Sequence, residues 1–257
     1  MNNQVDRQGL FPMIKPYETG MLSLGDGHEM YWEQSGTPDG HPVIFLHGGP
    51  GAGANPTHRQ FFDPDFYRIV IFDQRGAGRS LSLGSLIKNT TCHLIEDLET
   101  LRRHLNIKQW LVFGGSWGST LALAYAIKYS KRCAGFILRG IFMGDTKELD
   151  WFLYDMRNIY PEAWRKFIGF LPEAEQSNIL DAYYRRLINP NPSVHLPAAK
   201  AWSSYEGSCS QLMVDFKRIS QPSDLINKQI LALARIEVHY FKNGMFLDDG
   251  YLLRNIA

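Results

Sequence analysis

The chain has 257 residues, 44% of them hydrophobic and 21% charged, which is enough for one large domain or a core with an insertion. A formal net charge of +1 gives no electrostatic reason to expect nucleic acid or an anionic membrane as a partner. No apolar run approaches the roughly 20 residues of a membrane span. Three widely spaced cysteines and the polar start at 1–7 favour a reducing, cytoplasmic location without a signal peptide, metal or cofactor.

The first 143 residues alternate short apolar runs with helical patterns. After an irregular arm at 1–20, the segments 21–24 and 28–34 flank a Gly-Asp-Gly turn and predict a hairpin. Apolar runs of the kind that both faces of a parallel sheet bury follow at 42–46, 67–72, 110–113 and 133–141. A helix is predicted between the second and third of them, starting at Asn89-Thr90-Thr91. Strands alternating with helices predict an α/β fold whose mostly parallel sheet carries helices on both faces.

The segment Gly114-Gly115-Ser116-Trp117-Gly118 has the pattern G-x-S-x-G between an apolar strand and a helix. In such an elbow the serine lies on a strained turn, and its hydroxyl projects above the sheet. The helix start supplies free N–H groups where an oxyanion would develop. The alternative is a glycine-rich turn without chemistry, but the flanking strand and helix favour Ser116 as a nucleophile.

Two further loops follow predicted strands. The glycine-rich loop His47-Gly48-Gly49-Pro50-Gly51 can bring a backbone N–H close to a reacting carbonyl, as the second donor of an oxyanion hole beside Trp117, although a merely flexible turn is the alternative. The loop 73–80 lacks the patterns of phosphate-binding loops. We expect Asp73 and Arg75 to pair there and to brace the loop.

From residue 144 the pattern changes to aromatic-rich helical segments at 151–160, 162–170 and 173–187, with no convincing strand. We predict a core at 1–143, a helical cap at 144–240 that covers the strand ends, and a return toward the core at 241–257. Glu206 and Glu237 have aromatic neighbours in this cap. Most helical glutamates are solvated, but these surroundings predict burial, and a buried carboxylate needs a cationic partner.

Six motifs together are highly specific: His47-Gly-Gly-Pro-Gly51, Asp73-Gln-Arg-Gly-Ala-Gly-Arg-Ser80, Asn89-Thr-Thr91, Gly114-Gly-Ser-Trp-Gly-Ser119, Leu138-Arg-Gly-Ile-Phe142 and Arg235-Ile-Glu-Val-His-Tyr-Phe241. They resemble the prolyl aminopeptidase (proline iminopeptidase) family, serine peptidases of the α/β-hydrolase fold, from about residue 15 to the end of the chain. The resemblance implies release of N-terminal proline from peptides through a prolyl ester.

The resemblance also implies the site residues: Ser116 as nucleophile, the N–H groups of Gly49 and Trp117 as oxyanion hole, Glu206 and Glu237 as holders of the substrate's free amino terminus, and Phe142 and Phe241 as lining of the pyrrolidine pocket. The assignment of the two glutamates is physically sensible. A protonated secondary amine offers two N–H donors, and two carboxylates in a closed pocket satisfy both.

The expected catalytic acid and histidine are missing. In this fold they follow the serine on later strands, whereas the sequence ends at 252–257, where the chain should re-enter the sheet. We therefore expect a truncated, nearly inactive chain with an unpaired sheet edge that favours poor solubility or dimerisation. Asp145 with His195 or His239 could replace the missing pair, although His239 is more readily interpreted as a brace for Glu237.

Two alternative functions stay open at this point. A non-catalytic fragment or pseudoenzyme would bind peptide amino termini or nothing. Another lidded hydrolase, of the esterase or epoxide hydrolase type, would act on neutral substrates, which need no amine clamp. An epoxide hydrolase would also normally carry aspartate at the elbow. The sequence leaves the oligomeric state undetermined.

Overall fold

A computed structural model describes residues 9–210 and 224–256; the first eight residues of the predicted arm and part of the predicted cap lie outside them. The strands are β1 (Glu18–Gly25), β2 (His28–Gly36), β3 (His41–Leu46), β4 (Tyr67–Phe72), β5 (Trp110–Ser116) and β6 (Cys133–Ile141). The α-helices in these ranges are α1 (Thr91–His104), α2 (Trp117–Tyr129), α3 (Thr146–Leu153), α4 (Pro161–Gly169), α5 (Ile179–Leu187), α6 (Pro192–Cys209), α7 (Asp224–Lys242) and α8 (Tyr251–Asn255).

The six strands form one sheet in the order β1-β2-β4-β3-β5-β6. The hairpin of β1 and β2 joins antiparallel to β4, and β4, β3, β5 and β6 run parallel to one another. The apolar sequence of β3 and β4 explains their central position, because residues 43–46 and 69–72 are all buried. The predicted hairpin and the mostly parallel sheet are thus confirmed.

The side chains of successive residues in the central strands belong alternately to two apolar clusters. Ile44 and Leu46 join the large cluster that contains the buried faces of α1 and α2. Val43 and Phe45 point the other way, into a smaller cluster beside the short 3-10 helix Pro56–Phe61. The alternation places the core on both sides of the sheet, as the buried strands require.

The outer strand β6 pairs with β5 alone within the described part of the chain. Phe136 and Ile137 are 40% and 43% exposed, and Ile141 is 58% exposed. This unprotected edge is the kind of surface to which a further strand can add, so the expected self-association stays a prediction.

Helices follow β6, and the described residues between 144 and 240 contain no strand. Two predicted helix bounds are wrong. The segment 151–160 is divided, because α3 begins earlier, at its cap Asp145, and a separate 3-10 turn Asp155–Asn158 follows it. The segment 173–187 begins with a 3-10 turn Glu173–Glu175, and its α-helix starts only at Ile179, where the side chain of Asn178 caps α5. None of the described helices is long and apolar enough to cross a membrane.

The predicted pair of Asp73 and Arg75 does not form. The Arg75 guanidinium binds Asp97 of α1 through two hydrogen bonds of 2.6 and 2.8 Å. Asp73 instead accepts a hydrogen bond of 2.7 Å from Arg79 Nε. The loop turns back through Gly78, which has a φ of 55° and packs directly on the Asp73 carboxylate, so Arg79 reaches Asp73 while Arg75 faces the helix.

Candidate active site

The strand-to-helix turn places Ser116 at the end of β5 and immediately before α2. Its backbone has φ 54° and ψ −129°, a strained conformation for a residue with a side chain. A Cβ added at Gly114 would overlap the carbonyl oxygen of Gly118, and one at Gly118 would overlap that of Leu46. The two glycines therefore permit the sharp turn, and the serine it carries is exposed.

Strand register brings a second loop to this serine. In the parallel pair of β3 and β5, Leu46 lies opposite Gly114. The chain that leaves β3 consequently passes over the elbow. A Cβ built on Gly48 would lie 3.6 Å from Ser116 Cβ and 4.0 Å from Ser116 Oγ. The loop 47–51 thus flanks the exposed hydroxyl.

The two predicted oxyanion donors lie in the segments that flank Ser116. Trp117 is the first residue of α2, so its N–H is one of those that no intrahelical carbonyl can accept. Gly49 adopts a φ of 108°, and a Cβ there would lie 2.7 Å from Gly51 N and 3.2 Å from Leu233 Cδ1 of α7. Glycine is therefore required where the loop is pressed between the elbow and the helix above it.

A buried polar group that sequence analysis missed connects these two segments. Trp117 Nε1 donates to Gln74 Oε1 at 2.9 Å, and Gln74 Nε2 donates to the carbonyl oxygen of His47 at 2.9 Å. Gln74 N also donates to His47 Nε2 at 2.9 Å. Burial lowers the pKa of His47, which keeps its ring neutral and Nε2 available as an acceptor. The sequence signal for this contact was position, since His47 is the first residue after β3 and Gln74 the second residue after β4.

The two glutamates singled out in the cap occupy neighbouring helices. Glu237 of α7 is only 3% exposed, and its Oε2 accepts a hydrogen bond of 2.6 Å from Trp202 Nε1 of α6. Glu206 follows Trp202 by one helical turn and is partly buried. Burial raises the pKa of Glu206 to about 7. Burial, and secondarily the charge of Glu206, raise the pKa of Glu237. Neither carboxylate has a lysine or arginine partner among the described residues.

Aromatic rings join the carboxylates to the elbow. The ring of Phe241, one turn after Glu237, lies 5.9 Å from Trp202 and 6.4 Å from Phe142, centroid to centroid. Phe142 N donates to Ser119 Oγ at 3.0 Å, and this hydroxyl donates to the Ser116 carbonyl oxygen at 2.6 Å. The structure thus brings the predicted pocket residues into one neighbourhood. Trp202 was missed, although its spacing of four residues from Glu206 places both on one face of α6.

The residues considered as replacements for a catalytic acid and base have other partners. His195 Nδ1 is 2.8 Å from the carbonyl oxygen of Asn189, and Asp145 caps α3 by accepting from Glu148 N. His239 Nε2 donates to the Asn89 carbonyl oxygen at 3.1 Å. The expected brace between His239 and Glu237 is wrong, because residues two apart on a helix point to different sides.

All eight histidines of the sequence lie in the described ranges, and none forms a hydrogen bond with Ser116 Oγ. In the same ranges, no group of three or more histidine, cysteine, aspartate or glutamate side chains could hold a metal ion. The arrangement consists of an exposed serine on a strained turn, a glycine-rich loop and a helix start on its two sides, and two carboxyl groups that aromatic rings connect to the turn.

Comparison with known proteins shows which family the chain resembles. A family model described as the alpha/beta hydrolase fold matches residues 41–213. The proline iminopeptidase of Arabidopsis thaliana is 49% identical over 255 residues, covering 98% of this chain and 67% of that protein. The Xylella fastidiosa proline iminopeptidase is 47% identical, over 96% of this chain and 79% of the relative.

Among solved structures, an epoxide hydrolase of the alpha/beta hydrolase superfamily from hot-environment metagenomes aligns with a TM-score of 0.52. The sequences are 20% identical, and the alignment covers 89% of this chain and 70% of that structure. This likeness concerns the fold alone.

Proposed function

Because this chain belongs to the proline iminopeptidase family of α/β hydrolases, we propose that its site accepts peptides and amides with an N-terminal proline. The observation that carries the proposal is the pair of carboxylates, Glu206 and Glu237, in an aromatic pocket connected to an exposed elbow serine. In this proposal residues 1–143 form the core, and 144–240 form a cap that supplies the pocket.

The acidic pair recognises the charged amine of the ligand. An N-terminal proline carries a protonated secondary amine with two N–H donors, so each donor can bind one carboxylate. Burial raises the pKa of both carboxyl groups, so ionising the two side chains together is unfavourable unless a cation binds. A bound cation relieves that penalty, and Phe142 and Phe241 offer apolar surface to the pyrrolidine ring.

The chemistry proposed for Ser116 is acyl transfer. Its Oγ attacks the prolyl carbonyl carbon, and the N–H groups of Gly49 and Trp117 hold the resulting oxyanion. The tetrahedral intermediate then expels the peptide's amine, which takes up a proton, and leaves a prolyl ester that water hydrolyses. The serine proton needs an acceptor, and no histidine forms a hydrogen bond with Ser116 Oγ in the described ranges. We therefore expect this 257-residue chain to turn over only slowly, through its oxyanion hole and binding pocket.

Binding and turnover test the proposal separately. We expect calorimetry to detect binding of L-prolinamide, and no binding of N-acetyl-L-prolinamide, which lacks the charge. Glu237→Gln should abolish binding, while Ser116→Ala should preserve it. Hydrolysis of L-proline p-nitroanilide should be slow and lost in Ser116→Ala. Failure to bind L-prolinamide would overturn the substrate assignment, and rapid turnover would contradict the expected lack of a base.

A second candidate is a non-catalytic protein that binds peptide amino termini, and the absence of a hydrogen bond between Ser116 Oγ and any histidine of the described ranges favours it. Binding of L-prolinamide without any hydrolysis that depends on Ser116 would establish this non-catalytic function. Hydrolysis of p-nitrophenyl butyrate without affinity for prolinamide would instead indicate an esterase.

The three cysteines are free thiols, which supports the proposed reducing, cytoplasmic location.

A further inference from the structure

We infer that Gln74 is a positioning residue that fixes the separation between the two halves of the proposed oxyanion hole. The inference rests on the function proposed for Ser116, Gly49 and Trp117. Gln74 itself touches no reacting atom. It acts through His47 on one side and through the indole of Trp117 on the other.

The location of Gln74 follows from the sheet. β4 pairs with β3, and β3 pairs with β5, so the residues after β4 lie at the same edge as the loop 47–51 and the elbow. Gln74 is the second residue after β4, and only 2% of it is exposed. His47 and Trp117 are equally buried, at 1% and 0%. The whole connection is therefore shielded from water.

The connection needs an amide side chain. Gln74 Oε1 accepts from Trp117 Nε1 while Gln74 Nε2 donates to the His47 carbonyl oxygen. A carboxylate can accept but cannot donate, and an apolar side chain can do neither. The backbone N–H of Gln74 adds a third bond by donating to His47 Nε2. Since that nitrogen accepts, Nδ1 carries the ring proton and donates to the Gly48 carbonyl oxygen at 3.0 Å.

Without this connection the sheet would fix only part of the site. Strand pairing holds Leu46 opposite Gly114, but the loop beyond Leu46 contains Gly49 and Gly51 at φ values of 108° and 101°. The glycines give the backbone of this loop conformational freedom that strand pairing does not restrict. To move away from Trp117 it must break buried hydrogen bonds and leave their groups unpaired, which is costly. The position of Gly49 N–H relative to Trp117 N–H is consequently set through Gln74.

The test compares a ground-state ligand with a mimic of the tetrahedral intermediate, on the full chain. L-prolinamide occupies the pocket without reacting. Pyrrolidine-2-boronic acid has the same amine, but its boron bonds to Ser116 Oγ, the hydroxyl proton is released, and the tetrahedral boronate is anionic. Boron-11 NMR distinguishes this adduct from the free trigonal acid. Only the boronate requires correctly placed oxyanion donors.

Gln74→Met keeps the length of the side chain and removes both polar ends. We expect its affinity for the boronic acid to fall by about tenfold to a hundredfold, while its affinity for L-prolinamide stays within about twofold. Gln74→Glu has nearly the same size, keeps the acceptor and loses the donor. It should show the same selective loss, so it can replace Gln74→Met if that variant does not fold. Gln60→Met is the matched control, because the Gln60 amide donates to Phe11 O at the surface.

The outcomes separate the inference from the function on which it rests. Unchanged boronate affinity in both Gln74 variants would overturn the inference alone. An equal loss for both ligands would also overturn it, since Gln74 would then have a general structural role. A wild-type chain that binds L-prolinamide but forms no tetrahedral boronate would overturn the role of Ser116 and the inference together.

Discussion

Glu206 and Glu237 lie close enough for their charges to interact, and no lysine or arginine among the described residues neutralises them. Burial makes the ionised form of each costly. A cationic ligand is therefore the natural counterpart of this pocket. The cationic partner predicted for a buried glutamate is therefore not a lysine or arginine side chain of the described ranges, and under the proposed function the amine of the substrate would take that place.

The raised pKa of Glu206, about 7, makes ligand binding depend on pH. As the pH falls through this value the carboxyl group becomes neutral, so the affinity for L-prolinamide should weaken. At high pH the affinity should weaken again, because the ligand's amine loses its proton. Calorimetry from about pH 5 to about pH 9 should give a bell-shaped profile, and Glu206→Gln should shift its acidic limb, because Glu237 then titrates without the charge of Glu206. A flat profile across this range would contradict the acidic clamp.

The indole of Trp202 should lower the pKa of the Glu237 carboxyl group. Its Nε1 donates to Glu237 Oε2, and this bond lowers the carboxyl pKa against the larger effect of burial. Trp202→Phe keeps an aromatic ring but loses the donor, so Glu237 should become harder to ionise. We expect the L-prolinamide affinity to fall by about tenfold at neutral pH, as for loss of a hydrogen bond to a charged group.

Trp164→Phe provides the control for this change. Trp164 is also an indole of the helical region, and its Nε1 donates to the Leu153 carbonyl oxygen rather than to a carboxylate. Both variants should lose some stability in urea unfolding, but only Trp202→Phe should bind the ligand more weakly. An equal effect on affinity would show that aromatic packing, not the hydrogen bond, is responsible.

At the scale of elements, the turn between β5 and α2 depends on how closely it approaches β3. A Cβ at Gly118 would overlap the carbonyl oxygen of Leu46, which is backbone and cannot rotate away. Gly118→Ala should therefore destabilise the chain by about 2–4 kcal/mol, at the upper end of the cost of overpacking a core. Urea unfolding monitored by tryptophan fluorescence measures the change.

Gly207→Ala is the matched control, and it should change the free energy of unfolding in the opposite direction to Gly118→Ala. Gly207 lies inside α6, and a Cβ there would meet no atom of the described residues within 4 Å. Alanine should stabilise the helix by about 0.5–1 kcal/mol, because it restricts the unfolded chain and favours helix. If Gly118→Ala unfolded at the same urea concentration as the wild type, the close approach of the turn to β3 would be contradicted.

Elements whose signals are local were predictable from the sequence. The strand at 133–141 has the predicted bounds, and α1 begins within the predicted start Asn89-Thr90-Thr91, where Thr90 caps the helix by accepting from His93 N. The elbow was predictable for the same reason, since its glycines and serine are contiguous. Local patterns determine such features before any long-range contact forms.

Partners that the fold brings together from distant positions were not predictable. Arg75 binds Asp97 rather than Asp73, because the glycine turn at 76–78 decides which side chain faces which neighbour. Gln74 reaches His47 and Trp117, which are 27 and 43 residues away in the sequence. No period or motif indicates these contacts. They depend on the order of the strands, which places three loops at one edge of the sheet.

At the scale of the whole molecule, α7 connects the acidic pocket to the core. It carries Glu237, and Tyr240, three residues further along the same helix, packs against Trp117 with ring centroids 4.9 Å apart. Tyr240 Oη donates to Asn89 Oδ1 at 3.0 Å, just before the cap of α1. The position of the carboxylate relative to Ser116 is thus set by how α7 docks on the loops above the sheet. Sequence analysis identified the glutamate but could not predict this docking.

Asn89 connects α7 to the loop that follows β4. Its Nδ2 donates to the carbonyl oxygens of Arg75 and Ser85 at 3.0 Å each, and its Oδ1 accepts from Tyr240. Asn89→Ala would leave these buried partners unpaired, so we expect a loss of about 2–4 kcal/mol in the free energy of unfolding. Since α7 would lose an anchor, the affinity for L-prolinamide should fall as well.

Asn255→Ala should change neither quantity, because Asn255 is exposed and its side chain bonds only to the Tyr251 carbonyl oxygen one turn earlier. Urea unfolding and calorimetry on the same preparations measure stability and affinity together. Reduced stability with unchanged affinity would mean that Asn89 supports the core alone and that α7 is held by its apolar contacts. A joint loss would establish that the pocket depends on the junction between α7 and the core, which would make the acidic site a property of the assembled fold rather than of α6 and α7 by themselves.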